Sequence, residues 1–127
     1  MPANLPQKPV PPLSPAVFHI LLALVDGERH GYSIMQAVES DTAGALKLGP
    51  GTLYGCLKRM LSAGLVEESE ERPDPDLDDE RRRYYRATDT GLRAVRAELA
   101  RLAAIVSVAQ AKKWLPRNRS VLAGPSR

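Results

Sequence analysis

Small, hydroxyl and basic residues share one side of the segment that begins at Pro50. Thr52, Gly55, Lys58 and Arg59 fall opposite the apolar residues when the segment is drawn as a helix. Lysine and arginine can hold phosphate oxygens, and short polar side chains can reach base edges in the major groove of duplex DNA. The pattern therefore predicts a DNA-recognition helix. It is equally typical of an amphipathic helix with a solvated polar face, and the spacing alone does not separate the two.

Residues 81–86 read RRRYYR and form a second basic cluster. On a β-strand, Arg82, Tyr84 and Arg86 would share one face, because successive side chains point to alternate sides. This face predicts phosphate contacts. In the competing interpretation, one or two of the arginines only neutralise the nine acidic residues at 67–80, which lie in the same predicted hairpin.

Charge is distributed unevenly along the chain. Residues 67–80 carry nine acids and one arginine, a net charge of −8, whereas the whole chain of 127 residues carries +3. The rest of the chain therefore carries +11, which favours a polyanionic partner. A composition of 43% hydrophobic and 26% charged residues is that of a globular domain. Because Cys56 is the only cysteine, an internal disulfide is excluded, and we expect a cytoplasmic protein.

Boundary signals predict three helices before the acidic segment. Ser14 and Pro15 are typical of an N-cap and a first helical turn, and a largely apolar helix follows them. A second helix follows His30. A third helix begins at Pro50 and ends at Gly64, a glycine typical of a helix C-cap. These helices precede two predicted strands, at residues 65–72 and 81–87, that form a β-hairpin.

The last predicted element is a long helix over residues 89–115, with Thr88 as its N-cap. Such a helix is about 40 Å long, more than a small domain needs to cover its own core. Its apolar residues recur at alternating spacings of three and four, which favours a dimer interface over a helix folded back on its own domain. The predicted interface residues are Leu92, Val95, Leu99, Leu102, Val106 and Ala109.

Together these elements predict a mainly α fold of the winged helix-turn-helix class, with a long C-terminal dimerisation helix. The expected organisation is a flexible Pro-rich leader at 1–12 and a DNA-binding domain at 13–88. The dimerisation helix occupies 89–115, and a flexible tail occupies 116–127. No apolar run is long enough to span a bilayer, so we expect no membrane contact.

Enzyme chemistry is not indicated anywhere in the chain. There is no nucleophile–base pair, phosphate-binding glycine loop or metal-ligand cluster, so we predict no catalytic residues, no cofactor and no metal. His19 and His30 are expected to pack or to cap helices. Cys56 is expected at the edge of the apolar face of the third helix. Trp114 either lines a pocket between two subunits or closes the end of the helix pair.

Several short motifs, taken in order, resemble the PadR family of transcriptional regulators. They cover about residues 13–115, and the short C-terminal segment resembles the smaller PadR type with a single long final helix. The motifs are His30-Gly31-Tyr32-Ser33-Ile34, Gly51-Thr52-Leu53-Tyr54, Leu57-Lys58-Arg59-Met60, Gly64-Leu65-Val66 and Arg83-Tyr84-Tyr85-Arg86-Ala87-Thr88.

This resemblance implies a homodimer that binds palindromic operator DNA, usually as a repressor. It places Thr52, Tyr54, Lys58 and Arg59 on the recognition helix and the arginines before Tyr84 on the wing. It also implies a small hydrophobic or aromatic effector, although no ligand-contacting residue can be matched here.

The wing tip, residues 74–80, is acidic, which argues against the expectation that the whole wing touches DNA. Phosphates repel carboxylates within a Debye length, about 8 Å at physiological salt. We therefore predict that Arg82, Arg83 and Arg86 hold DNA from the stem of the hairpin while the tip stays off the backbone. The alternative function is a winged-helix protein-interaction module that has lost DNA binding, and salt-dependent binding to random duplex DNA would distinguish the two.

Overall fold

The computed structural model of the protein describes residues 12–73 and 81–116. The elements, in chain order, are α1 (Pro15–Ala23), β1 (Arg29–His30), α2 (Gly31–Asp41), α3 (Pro50–Ser62), β2 (Val66–Pro73), β3 (Arg81–Ala87) and α4 (Asp89–Ala111). The predicted mainly α winged-helix architecture is confirmed. Apart from Pro12 and Pro116, the predicted leader, wing tip and tail lie outside the described residues.

Three of the helices begin at side-chain caps. The Ser14 hydroxyl accepts a hydrogen bond from the backbone N–H of Val17, and Pro15 follows as the first helical residue of α1. His30 caps α2 through its Nδ1 atom, which accepts the N–H of residue 33 at 3.3 Å. Thr88 caps α4 in the same way, as its sequence position predicted.

The small sheet is antiparallel, with strand order β1-β3-β2. The β2–β3 hairpin pairs Val66 with Ala87, which confirms the predicted wing. The third strand, β1, was not predicted, because a two-residue strand is too short to show an alternating pattern. It pairs with β3 and brings the start of α2 against the wing.

The core lies where α1, α2 and α3 meet the sheet and the start of α4. Its fully buried members come from α1, α2, α3 and β2: Ile20, Leu21, Ile34, Val38, Leu53, Leu57, Met60 and Val66. Cys56, predicted at the edge of the apolar face, is 3% exposed and belongs to this core. The reason is that α3 packs against α1 and α2 on one side and β2 on another, which widens its buried face.

The junction between the wing and α4 depends on a glycine. A Cβ atom at Gly91 would collide with the carbonyl oxygen of Leu65, so only glycine allows the first turn of α4 to approach this close. The same carbonyl accepts the N–H of Thr88 at 3.0 Å, and the Thr88 hydroxyl donates to the carbonyl of Gly64 at 2.6 Å. These contacts fix the direction in which α4 leaves the domain.

The helix α4 has 23 residues and is about 34 Å long. It ends four residues before the predicted boundary at residue 115. Lys113 has a left-handed backbone (φ 63°), and the N–H of Trp114 donates to the carbonyl of Ala109 at 2.9 Å. A left-handed residue with such a backbone bond terminates helices, and no glycine marks the position in the sequence.

Candidate nucleic-acid interface

The outward face of α3 carries the four residues predicted for the recognition helix. Its inward face is formed by Leu53, Cys56, Leu57 and Met60, all of which are buried. The 3.6-residue period then turns the side chains between them toward solvent. All four predicted residues are exposed: Thr52, Tyr54, Lys58 and Arg59.

Tyr54 has a structural contact as well as an exposed surface. Its hydroxyl end lies directly over the backbone of Gly31, where a Cβ atom would collide with it. Because Gly31 is the first residue of α2, this contact joins the two helices of the helix-turn-helix unit at a close crossing. Tyr54 also lies near Tyr85 of β3, whose pKa is raised, mainly because the ring is buried. Tyr54 therefore connects α3, α2 and the wing.

Arg59 lies at the C-terminal end of α3, beside a groove in the domain. Its Nη2 atom donates to the sulfur of Cys56 at 3.4 Å, a weak bond that directs the guanidinium along the helix. Arg59 and Arg93 of α4 both border the groove, which brings basic residues of two elements to one region of the surface.

Two wing arginines form ion pairs with the neighbouring strand. Arg86 Nε lies 2.6 Å from Glu67 Oε2, and Arg83 Nη1 lies 3.5 Å from Glu68 Oε2. Both arginines thus pair with acidic residues of the same hairpin. Their partners belong to β2, whereas the tip at 74–80 lies outside the described residues. The hydrogen bond that Arg86 donates to Glu67, together with the negative charge of Glu67, raises the pKa of Arg86.

The other predicted wing residues are less exposed. Arg82 is half-buried. Tyr84 is half-buried as well, and its ring meets that of His30 edge to face, with centroids 5.5 Å apart. The surface of the wing thus combines arginines with packed aromatic rings.

Sequence reasoning missed Arg29, which sits in β1. Its Nε donates to the carbonyl of Ala23 at 2.8 Å, and its Nη1 donates to the hydroxyl of Ser33 at 2.9 Å. These bonds tie the end of α1 to the first turn of α2 and so orient the helix that supports α3. A lone arginine in a turn carries no periodic signal, so only the tertiary contacts reveal this function.

The predicted dimer residues divide along α4. Val95 is 2% exposed and packs in the core of its own domain, so its predicted contact with a partner subunit is wrong. Leu92 is half-buried in the same part of the helix. Beyond residue 98, by contrast, Leu99 is 42% exposed and Val108 is 55% exposed. Of the remaining predicted residues, Val106 is exposed, whereas Leu102 and Ala109 are half-buried.

The described residues form neither a metal site nor a membrane-spanning helix. Within residues 12–73 and 81–116, no group of three histidine, cysteine, aspartate or glutamate side chains is placed to hold a metal ion. The helices described in the structure include none that is both long enough and apolar enough to cross a membrane.

A family model, that of the transcriptional regulator PadR-like family, matches residues 20–97. This span is more than half of the chain and runs from α1 into α4. The chain belongs to the PadR-like family. Membership in a family of transcriptional regulators confirms the resemblance seen in the motifs, and confirms a regulator rather than an enzyme.

Solved structures of PadR proteins share the fold of this PadR-like chain. A PadR family transcription regulator from hypervirulent Clostridium difficile is 24% identical with a TM-score of 0.63, covering 76% of this chain and 96% of that one. A PadR-like transcriptional regulator from Bacillus cereus is 20% identical with a TM-score of 0.64, covering 79% and 92%. Bacillus subtilis PadR in complex with operator DNA is 20% identical with a TM-score of 0.57, covering 65% and 45%.

One curated relative is similar to part of the PadR-like chain. It is an uncharacterised 37.1 kDa protein in transposon Tn4556 of Streptomyces fradiae, 45% identical over 53 residues. The match covers 42% of this chain and 15% of the relative, so this chain corresponds to a small part of that protein.

Proposed function

We propose that this PadR-like chain is a sequence-specific DNA-binding regulator that acts as a homodimer on a palindromic operator. The observation that carries the proposal is the exposed face of α3, where Thr52, Tyr54, Lys58 and Arg59 stand clear of the core. A helix presented by a helix-turn-helix unit can enter the major groove. The structure of Bacillus subtilis PadR, which has the same fold, in complex with operator DNA supports DNA binding by this chain.

In this proposal the two groups of α3 residues act differently. Thr52 and Tyr54, near the start of the helix, read base edges, whereas Lys58 and Arg59 hold phosphates. From the wing, the side chains of Arg82, Arg83, Tyr84 and Arg86 contact the backbone of the flanking DNA. Because the stem of the wing adjoins α2 and α3, it extends the same surface.

The test is the salt dependence of DNA binding by a Lys58→Ala/Arg59→Ala double variant. Each phosphate contact contributes about −0.9 to the slope of log K against log salt concentration, so the double variant should lose up to about 1.8 from the slope. Arg96→Ala removes a positive charge from an exposed position on α4 and is the control. An unchanged slope in a folded Lys58/Arg59 variant would exclude α3 as the DNA-contacting helix.

The homodimer part of the proposal is supported by the C-terminal half of α4. Its apolar face, formed by Leu99, Leu102, Val106 and Ala109, extends beyond the domain and ends near the exposed Trp114. Exposed apolar stripes of this kind are typical of subunit interfaces. A second copy offers the same stripe and places two recognition helices on the two halves of a palindrome.

For the regulatory outcome we propose repression in the cytoplasm, relieved by a small hydrophobic or aromatic effector. The domain has a suitable groove of about 730 Å³, within the size range of small-molecule sites. Its lining is mostly apolar and includes Leu13, Val17, Met60, Ala94 and Ala97. Since Met60 belongs to α3, an occupant of the groove would touch the helix proposed to read DNA.

The second candidate function is a winged-helix module that binds proteins without binding DNA. The ion pairs of Arg83 and Arg86 with β2 favour it, because paired arginines attract phosphate less strongly. Titration with a random-sequence duplex at low salt separates the two functions. Salt-sensitive binding supports the DNA-binding regulator, and absence of binding supports the protein-interaction module.

A further inference from the structure

Arg86 is placed between two carboxylates. It lies on β3, the central strand, and its direct partner on the neighbouring strand β2 is Glu67. The Arg86 Nε atom lies 2.6 Å from Glu67 Oε2. Extending the β1–β3 register by one residue places Glu28 on the other side of Arg86. Glu28 also contributes to raising the pKa of Arg86, and both residues line one small concave surface. One arginine is thus flanked by a glutamate on each side.

This cluster occupies the outer face of the sheet. Tyr85 is buried, so its face of β3 points into the domain, and Arg86, the next residue, points the opposite way. Glu68 is the direct partner of Tyr85 and therefore lies with Arg83 on the other face. The pair formed by Glu67 and Arg86 remains about half exposed, where a phosphate can reach it.

We propose that Glu67, assisted by Glu28, competes with DNA phosphate for Arg86 and so lowers the affinity of the chain for DNA. This inference rests on the proposed DNA binding. A carboxylate and a phosphate both accept charge-assisted hydrogen bonds from a guanidinium, so Arg86 must leave Glu67 to contact DNA. On random DNA the exchange contributes little. On the operator, where base contacts of α3 hold the wing in register, the phosphate displaces Glu67, and the cost of breaking the ion pair lowers the affinity for the operator.

The experiment measures binding of the full chain to a random-sequence duplex and to a selected operator, each over a range of salt concentrations. Glu67→Gln should bind the random duplex about two- to fivefold more tightly, the range expected for releasing one exposed ion pair. Its salt slope should steepen by up to about 0.9, one added phosphate contact. Affinity for the operator should rise by at least the same factor, because operator binding no longer has to break the ion pair. Asp41→Asn, at an exposed position at the end of α2, changes the net charge equally and is the control.

A second pair of variants tests whether Glu67 acts through Arg86. In an Arg86→Ala background, Glu67→Gln should leave binding to the random duplex unchanged. The inference is overturned if the Glu67 effect persists there, since Glu67 would then act by its own repulsion of DNA. It is also overturned if Glu67→Gln and Asp41→Asn strengthen binding equally, or if neither does. If the unmodified chain does not bind DNA at low salt, the proposed function itself has failed. Unchanged thermal unfolding of each variant shows that the fold is intact.

Discussion

The two halves of α4 both carry apolar residues but differ in their surroundings. In the first half, Gly91, Val95 and Glu98 are buried against the domain. In the second half, Leu99, Ile105, Val106 and Val108 are exposed. One continuous helix covers the core at its N-terminal end and is exposed to solvent at its C-terminal end, because the helix extends beyond the domain.

This contrast separates two functions within a single heptad-like pattern. The first half stabilises the fold of the chain. Its buried residues pack against their own domain whether or not a partner is present. The second half is mostly exposed to solvent, so its apolar side chains are available for a partner. Changes in the first half should therefore affect unfolding of the chain, and changes in the second half should affect association.

The largest effect is expected from Leu99→Glu combined with Leu102→Glu. In the proposed dimer these charges would be buried without compensation, which costs about 3–5 kcal/mol and should weaken association at least a hundredfold. Sedimentation should then show monomers. Ala100→Glu with Ser107→Glu adds the same charges at exposed positions on the opposite side of α4 and should leave the dimer intact. A Leu99/Leu102 variant that stays dimeric would place the interface elsewhere.

A smaller effect, on folding, is expected from Gly91→Ala. The added methyl group would collide with the backbone of Leu65, which cannot rotate away as a side chain can. The free energy of unfolding should fall by about 3 kcal/mol, the upper part of the range for overpacking. Gly55→Ala is the matched control, because a Cβ at Gly55 meets only the end of Arg59 at 3.7 Å. That variant should be as stable as the original chain or more stable, since alanine favours helix. Equal melting temperatures for the two variants would show that the wing–α4 junction tolerates a wider spacing.

The smallest effect concerns Glu98, which is 8% exposed at the boundary between the two halves. A hydrogen bond from Arg101, supported by one from the backbone of Leu13, lowers the pKa of this carboxyl group. A lowered pKa in the folded state means that the stabilisation is complete above the usual glutamate value, about 4.3, and is lost as the pH falls through the folded-state value. Melting temperatures of Glu98→Gln should therefore decrease less between pH 5 and 3 than those of the original chain.

The control for this pH dependence is Glu39→Gln, which removes an exposed carboxylate paired with Lys47 at 3.8 Å. It should keep the acid dependence of the original chain, because an exposed pair contributes little to stability. Equal acid dependence of the Glu98 variant and the original chain would contradict the assignment of the stabilisation to Glu98.

Local sequence signals predicted where helices and strands lie better than they predicted which residues are buried. Ser14, His30 and Thr88 cap the three helices that their sequence positions indicated, because a cap requires only neighbouring residues. The α3 face was predicted as well, since the helical period separates Lys58 from Leu57 without reference to the rest of the chain. Burial of Cys56 and Val95 was not predicted, because it depends on which other elements cover each side of a helix.

Periodicity, capping residues and charge by themselves determined that this chain forms a winged helix with a basic helix face and a long amphipathic C-terminal helix. Those properties depend on residues a few positions apart. Only the tertiary structure decided that Val95 faces the core whereas Leu99 faces solvent, and that Arg86 is held by Glu67. These contacts join residues that are distant in sequence. They depend on the register between strands and on how far the domain extends along α4, and a local sequence pattern encodes neither.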